Sequence, residues 1–379
     1  MANEDSKAYF SATAICEKYP LVRDHVAGEH KHPGDCAAAV TQVVEWYLHF
    51  AVARELVLSD RPRFGSYFDG RIAPAYNGDD AWESAVADLV REQENLAKVV
   101  TIAFAEGLDE LTWQLCEALV TFYFQRDLFA EAIAVHSVGS AAARRIYEQT
   151  GNLRPLLRMK AELGAAYFSA QDDQTALRHF QEVLALADSL PENDEAVSLT
   201  KAKTLVWKAF VYQRQGTIEA SAQAVKAIEQ ASLLMSSPAF PELRRMRELA
   251  ILDMNSIPMF SAVGRHADAL AAGHRAKTYL TAGKERHNLA KTMANLGESL
   301  SQMGADRSAE AVGTLREALA LEAELGRSSW EAHTSVVLAD VVERAGELTE
   351  ARSLVGRVIE LYAALENPRA ETLRVRLAG

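Results

Sequence analysis

The sequence predicts an all-α solenoid, a right-handed superhelix of antiparallel helix pairs with an N-terminal helical cap. Three observations carry that prediction. Apolar residues recur every three or four positions through most of the 379 residues, which is the period of one helix face. The pattern returns in successive stretches, with Gly164, Ala209, Ile257, Gly297 and Ala339 at matched places 45, 48, 40 and 42 residues apart. Only 10 prolines and few β-branched runs leave little room for sheet.

Residues 1–70 are read as the cap. Ala14 to Val26 could form a helix broken at Pro20, and His30 to Asp35 is a loop. Cys36 to Leu58 is a strong amphipathic helix with Val40, Val43, Val44, Tyr47, Leu48, Ala51 and Leu56 on its buried side. Pro62 through Gly78 carries Pro, Gly, Asn and Asp and reads as a connector. Ala81 to Glu106 is a second long helix, with Trp82, Val86, Leu89, Leu96, Val99, Val100 and Phe104 inward. Gly107-Leu108-Asp109 closes it.

Paired helices then fill the second domain, 71–379, with units near 110–150, 154–187, 200–233, 246–280, 288–323 and 330–364. The prototype is Leu156 to Ala187. Leu163, Gly164 and Tyr167 lie on one face, and Ala176, Phe180 and Val183 restore the period after Gln171-Asp172-Asp173. Those aspartates compete for backbone N–H groups and favour a cap over a helix interior. Gly164 and Ala176 are small where the helices cross, and Tyr167 and Phe180 fill the gap beside them. This spacing resembles a tetratricopeptide (TPR) helix–turn–helix. The repeat distances exceed the standard period of about 34, so helices or loops must be longer. Pro258 interrupts the fourth repeat and reads as a tolerated kink.

Residues outside the bare repeat extend the resemblance. Tyr47 to Ala53 and the stretch Ala81-Trp82, Glu94-Asn95-Leu96, Val99-Val100, Ala103 are similar to the C-terminal sensor half of actinobacterial NB-ARC–TPR and SARP-type (STAND) regulators. Tyr19 to His25 is faintly similar to the end of their winged-helix module. Those regulators carry an ATPase and a DNA-binding domain, yet this sequence has no G-x-x-x-x-G-K-[ST] phosphate loop and no basic recognition helix. The resemblance therefore implies a sensor-type solenoid, standing alone or as a fragment.

A net charge of −12 argues against non-specific binding to nucleic acid or anionic membranes. No apolar run approaches the roughly 18 residues of a membrane span, and the acidic N-terminus lacks a signal-peptide pattern. Three cysteines in a large chain suggest reduced thiols, so a cytoplasmic protein is expected.

Cys16, His25, His30, His32 and Cys36 are zinc-type ligands, but their spacing lacks a C-x-x-C or H-x-x-x-H pair. No metal and no cofactor is expected. There is no G-x-S-x-G elbow or catalytic cysteine signature, so no catalytic residues are assigned. Cys116, Trp113, Trp207 and Trp330 read as core, and the acidic residues as a solvated exterior.

The inner face of the solenoid, lined by the first helix of each pair, is the expected binding surface. Counting back five from Leu163 gives Arg158, and the same offset gives Lys203, Lys291 and His333. One turn earlier come Arg154, Arg247 and His287; two turns on come Phe168, Phe210, Gln213 and Arg214. Such cations can hold a carboxylate or phosphate by charge-assisted hydrogen bonds. The TPR resemblance further implies that Asn295, with Asn255 as its counterpart, holds a peptide backbone. The expected function is a non-enzymatic regulatory module that binds a peptide, protein tail or small acidic ligand and relays it to a partner. Two alternatives stand beside it: an enzyme using His287, His333 or the 25–32 histidines, and a scaffold whose outer face forms a homodimer.

Overall fold

The computed structural model describes residues 36–59, 61, 63–190, 194–238, 240–325, 328–364 and 374. The expected helix at 14–26, the cluster at Cys16, His25, His30 and His32, the winged-helix-like stretch and residues 191–193 of the acidic loop lie outside the described residues. The described residues form helices and turns and no strand, in the TPR-like α-solenoid class. Two compact units divide the chain, Met1–Thr204 and Leu205–Gly379.

The first unit contains α1 (Cys36–Leu58), α2 (Ala81–Ala105), α3 (Asp109–Ala118), α4 (Val120–Gln125), α5 (Phe129–Thr150), α6 (Arg154–Ser169), α7 (Asp173–Asp188) and the first half of α8 (Glu195–Gln215). Helices α1 and α2 pair antiparallel. Tyr47 donates to Glu92 at 3.1 Å and Arg54 to Asp88 at 2.7 Å, so rising numbers on one helix meet falling numbers on the other. The expected cap boundary at residue 70 thus falls inside the connector of a helix pair. Val40, Val44, Leu48 and Ala51 are buried as the α1 pattern requires, in one core with Leu89, Leu96, Leu115, Phe122 and Ile146. Trp82 departs from the pattern and is exposed. It sits in the first turn of α2, where the antiparallel register brings it level with the end of α1. Helices α3 and α4 are separated only by Leu119, and with α5 they make the next pair.

The prototype pair α6–α7 shows why position 164 is glycine. A Cβ there would lie 2.5 Å from the Phe180 ring, and Ala176 and Phe180 are fully buried. Burying Phe180 is worth about 2–3 kcal/mol of apolar transfer, and only a bare backbone opposite it permits the approach. Asp172 caps α7, accepting from the Thr175 N–H at 3.0 Å. Gln171 precedes it with φ 65°, the left-handed turn position that Gly216, Gly264 and Gly346 fill in later pairs.

The second unit holds the rest of α8, then α9 (Ile218–Met235), α10 (Glu242–Ala262), α11 (His266–Ala282), α12 (Arg286–Ser301), α13 (Ser308–Glu324), α14 (Ser328–Arg344) and α15 (Leu348–Ala364). From α9 onward each helix packs on the next, and the first helices also touch one another, α10 on α12 and α12 on α14. Gly297 faces Leu315 as Gly164 faces Phe180, with 2.5 Å from its would-be Cβ to Leu315 Cγ. The long spacings come from long helices: α8 and α10 have 21 residues each against 16 in α6. The insertion in the fifth repeat is a 3-10 turn, Ala305–Arg307. No helix of the described residues is long and apolar enough to cross a membrane.

These contacts set the sign of two substitutions. Gly164→Ala gains helix propensity of up to about 1 kcal/mol, but the overlap with Phe180 costs about 1–3 kcal/mol. A net loss of about 1–2 kcal/mol is expected in urea denaturation. Gly313→Ala, with open space around it, should instead stabilise by about 0.5–1 kcal/mol.

Candidate binding surface on the first-helix faces

In the first unit the expected cation ribbon is already in use. Arg158 on α6 is buried, with Nε donating to Glu117 at 2.8 Å and Nη1 3.1 Å from Glu162. Arg154 pairs with Asp194 and stands 4.9 Å from the Phe64 ring centroid. Lys203 is half-buried on α8. Arg158 therefore faces carboxylates of its own chain where an open groove was expected, because Glu117 on α3 and Glu162 on α6 project onto the same face.

The acid–base set is larger than sequence reasoning found. Glu55, Glu117 and Glu162 are buried beside Arg61, Arg63 and Arg158. Burial alone would raise the Glu162 carboxyl, but Arg158 and Arg61 overcome it and hold it below the usual range. Glu55 is raised, because burial outweighs Arg61 and Arg63. Removing one partner from such a set leaves an uncompensated buried charge, at a cost of about 3–5 kcal/mol. A signal was present in the sequence: Glu55 continues the apolar stripe Val44, Leu48, Ala51, where a charge is rare unless paired.

His136 on α5 sits beside this network, fully buried. Its Nδ1 is 2.7 Å from the Ala132 carbonyl, and Nε2 has no hydrogen-bond partner among the described residues. Burial pushes its pKa down to about 4, against the pull of Glu162. Cys116 is likewise buried, and burial raises its thiol well above the ordinary value, which makes it inert core.

In the second unit Phe210, Asn255, Lys291 and Asn295 converge. Lys291 Nζ donates to Asn255 Oδ1 at 3.2 Å and stands 5.9 Å from the Phe210 ring centroid. No carboxylate pairs with it among the described residues, and burial alone lowers its pKa. Three of the expected residues are committed differently. Arg247 holds Glu285 through two bonds of 2.8 and 3.2 Å. His287 is exposed, edge-on to Trp330 at 6.5 Å. Asn295 donates to the Met254 carbonyl at 2.9 Å. Met254 lies four residues before Pro258, whose missing N–H would otherwise have bonded that carbonyl. So Asn295 closes the gap left by the proline in a neighbouring helix. Gln213 is half-buried and Arg214 exposed on α8. Trp113 is core, while Trp207 and Trp330 are half-buried.

Seven residues past Lys291, on the same face of α12, Glu298 lines an open cavity of about 450 Å³ with Ser301, Gln302, Val337, Asp340, Glu343 and Arg344. His333 Nε2 is 3.9 Å from Glu298.

No protein-family model and no curated protein sequence matches the chain. Solved structures do, at the level of fold. A signal transduction ATPase with numerous domains, carrying a tetratricopeptide repeat sensor, from Pyrococcus horikoshii is 12% identical with a TM-score of 0.52. That match covers 97% of this chain and 58% of that one. The apo form of RapI is 11% identical with a TM-score of 0.51, over 76% of this chain and 92% of that one. A Rap protein complexed with competence and sporulation factor is 17% identical with a TM-score of 0.50, over 76% and 80%.

Two measurements test the internal roles. Asn295→Ala should cost about 1–3 kcal/mol by orphaning the Met254 carbonyl. In a Pro258→Ala background, where the helix bond can return, the loss should shrink by at least half in a double-mutant cycle. His136 has its folded pKa below the unfolded value near 6.5, so its stabilising neutral state is fully present above pH 6.5 and is lost as pH falls towards 4. About 3 kcal/mol of wild-type stability should vanish over that window, and His136→Gln should flatten the profile.

Proposed function

We propose that the chain is a non-enzymatic binding module of a regulatory system, and that the first-helix face of its second unit takes a peptide or protein tail through a carboxylate or backbone carbonyl group. The observation that carries this reading is Lys291, a half-buried ammonium with an amide partner and an aromatic face but no carboxylate partner among the described residues. An ammonium offers three donors and Asn255 adds amide N–H groups, so the pair is complementary to an anionic or carbonyl oxygen. The open cavity further along α12 leaves room for the remainder of an extended ligand.

The likeness in fold to a TPR sensor and to Rap proteins supports a sensing role. The pattern at 47–104 suggests more narrowly the sensor half of an NB-ARC–TPR or SARP-type regulator, with the ATPase supplied elsewhere. A cytoplasmic setting fits that role.

A half-buried cation with no carboxylate partner among the described residues is retained against stability, and this separates ligand binding from packing. With its folded pKa below the unfolded one, Lys291 penalises the folded state at neutral pH, and the penalty is relieved as pH rises towards about 10. Lys291→Met should therefore raise the melting temperature at pH 7. Native mass spectrometry with a pooled set of acidic, neutral and basic synthetic heptapeptides provides the functional test. Wild-type protein should retain acidic species, and Lys291→Met should retain at least about tenfold less, the effect of losing one charge-assisted bond. Equal retention by both proteins would sink the assignment.

A further inference from the structure

The connector between α1 and α2 runs for 22 residues, from 59 to 80, where the turns after α4, α6, α10 and α14 take three. Reversing an antiparallel helix pair does not need that length. Arg61 and residues 63–68 instead cross the first-helix face of the first unit. Their backbone is bonded by side chains of α3: the N–H groups of Phe64 and Gly65 donate to the Glu117 carboxylate at 3.0 and 2.9 Å. The Tyr67 N–H donates to Gln114 Oε1 at 3.1 Å. Gly65 fits closely, since a Cβ there would lie 2.8 Å from that oxygen.

The side chains are read as well. Arg61 reaches Glu55 and Glu162 at 2.8 Å each and the Glu117 carbonyl at 2.6 Å. Arg63 donates to the carbonyls of Glu55, at 3.0 Å, and Ser59. The Phe64 ring lies 4.9 Å from the Arg154 guanidinium and 5.7 Å from that of Arg158, and packs on the cluster of Leu157 and Val197. Side chains three apart on a helix hold backbone N–H groups, carboxylates hold Arg61, and an apolar slot takes the ring. That is the chemistry of recognising an extended peptide, with main-chain bonds giving affinity and pockets giving specificity.

We propose that this stretch is a tethered ligand: the α3–α6 face is a recognition site for an extended segment of the type Arg-x-x-Phe-Gly, and the connector fills it as an autoinhibitory contact. An external partner segment of the same chemistry binds there only when the connector leaves. The tether fixes the balance, because a short linker supplies an effective concentration on the order of millimolar. The inference is independent of Lys291, which belongs to the other unit.

The test replaces residues 60–68 with a Gly/Ser stretch of equal length and adds a synthetic peptide of residues 59–68. If the variant folds, calorimetry should show saturable binding with Kd of roughly 10–100 µM, tighter than the roughly millimolar tether it replaces. Wild-type protein should show none below about 1 mM. A peptide with alanine in place of Arg61 should bind at least about tenfold more weakly, having lost three charge-assisted bonds. A folded variant that binds nothing at about 1 mM peptide overturns the proposal. If the variant does not fold alone, recovery of a cooperative melt with peptide supports it, and no recovery at about 1 mM overturns it.

Discussion

A helix pair with no sheet behind it and no central core stands only if its two helices approach closely enough to shed water between them. At Gly164 and Gly297 that approach is direct, with Phe180 and Leu315 pressed against bare backbone. Everything else follows from it. Each pair becomes a flat unit with two apolar sides, stacking on its neighbours supplies the remaining burial, and stability becomes a sum over adjacent interfaces. Long helices such as α8 and α10 are tolerated because extra turns add contact without changing the crossing.

The same geometry leaves the first-helix faces without a helix to cover them. Polar groups there must be satisfied from within the chain or by something brought to it. Near Pro258 the need is met by one amide, Asn295, which takes the carbonyl the proline frees. On the first unit it is met by a connector whose backbone and arginines are held by Glu117, Gln114, Glu55 and Glu162. Lys291 is the contrasting case, bonded to an amide and with no carboxylate partner among the described residues.

The buried ion set also shows how polarity and packing share one site. Three carboxylates and three guanidiniums are costly to bury singly, yet each here has opposite charge within bonding distance. His136 sits at the edge of this set as a neutral imidazole, since the surrounding low dielectric disfavours a further cation.

The sequence by itself determined the helices and their pairing. Periodicity gave α1 as Cys36–Leu58, and the Gly164–Phe180 spacing identified the crossing, because these features depend on residues near one another in the chain. A repeat offset, which selects positions on one face, also named Phe210 and Lys291, while Asn255 and Asn295 came from the TPR resemblance. Only the tertiary structure decided what those positions meet. Arg158 and Lys291 occupy the same offset, yet one is neutralised by Glu117 on a helix 41 positions away and the other meets no carboxylate among the described residues. Asn295 looked like a ligand-binding amide until Met254, brought beside it by packing, proved to be the group it holds. Counter-ions and orphaned carbonyls arrive from distant segments, and no local pattern records which segment will arrive.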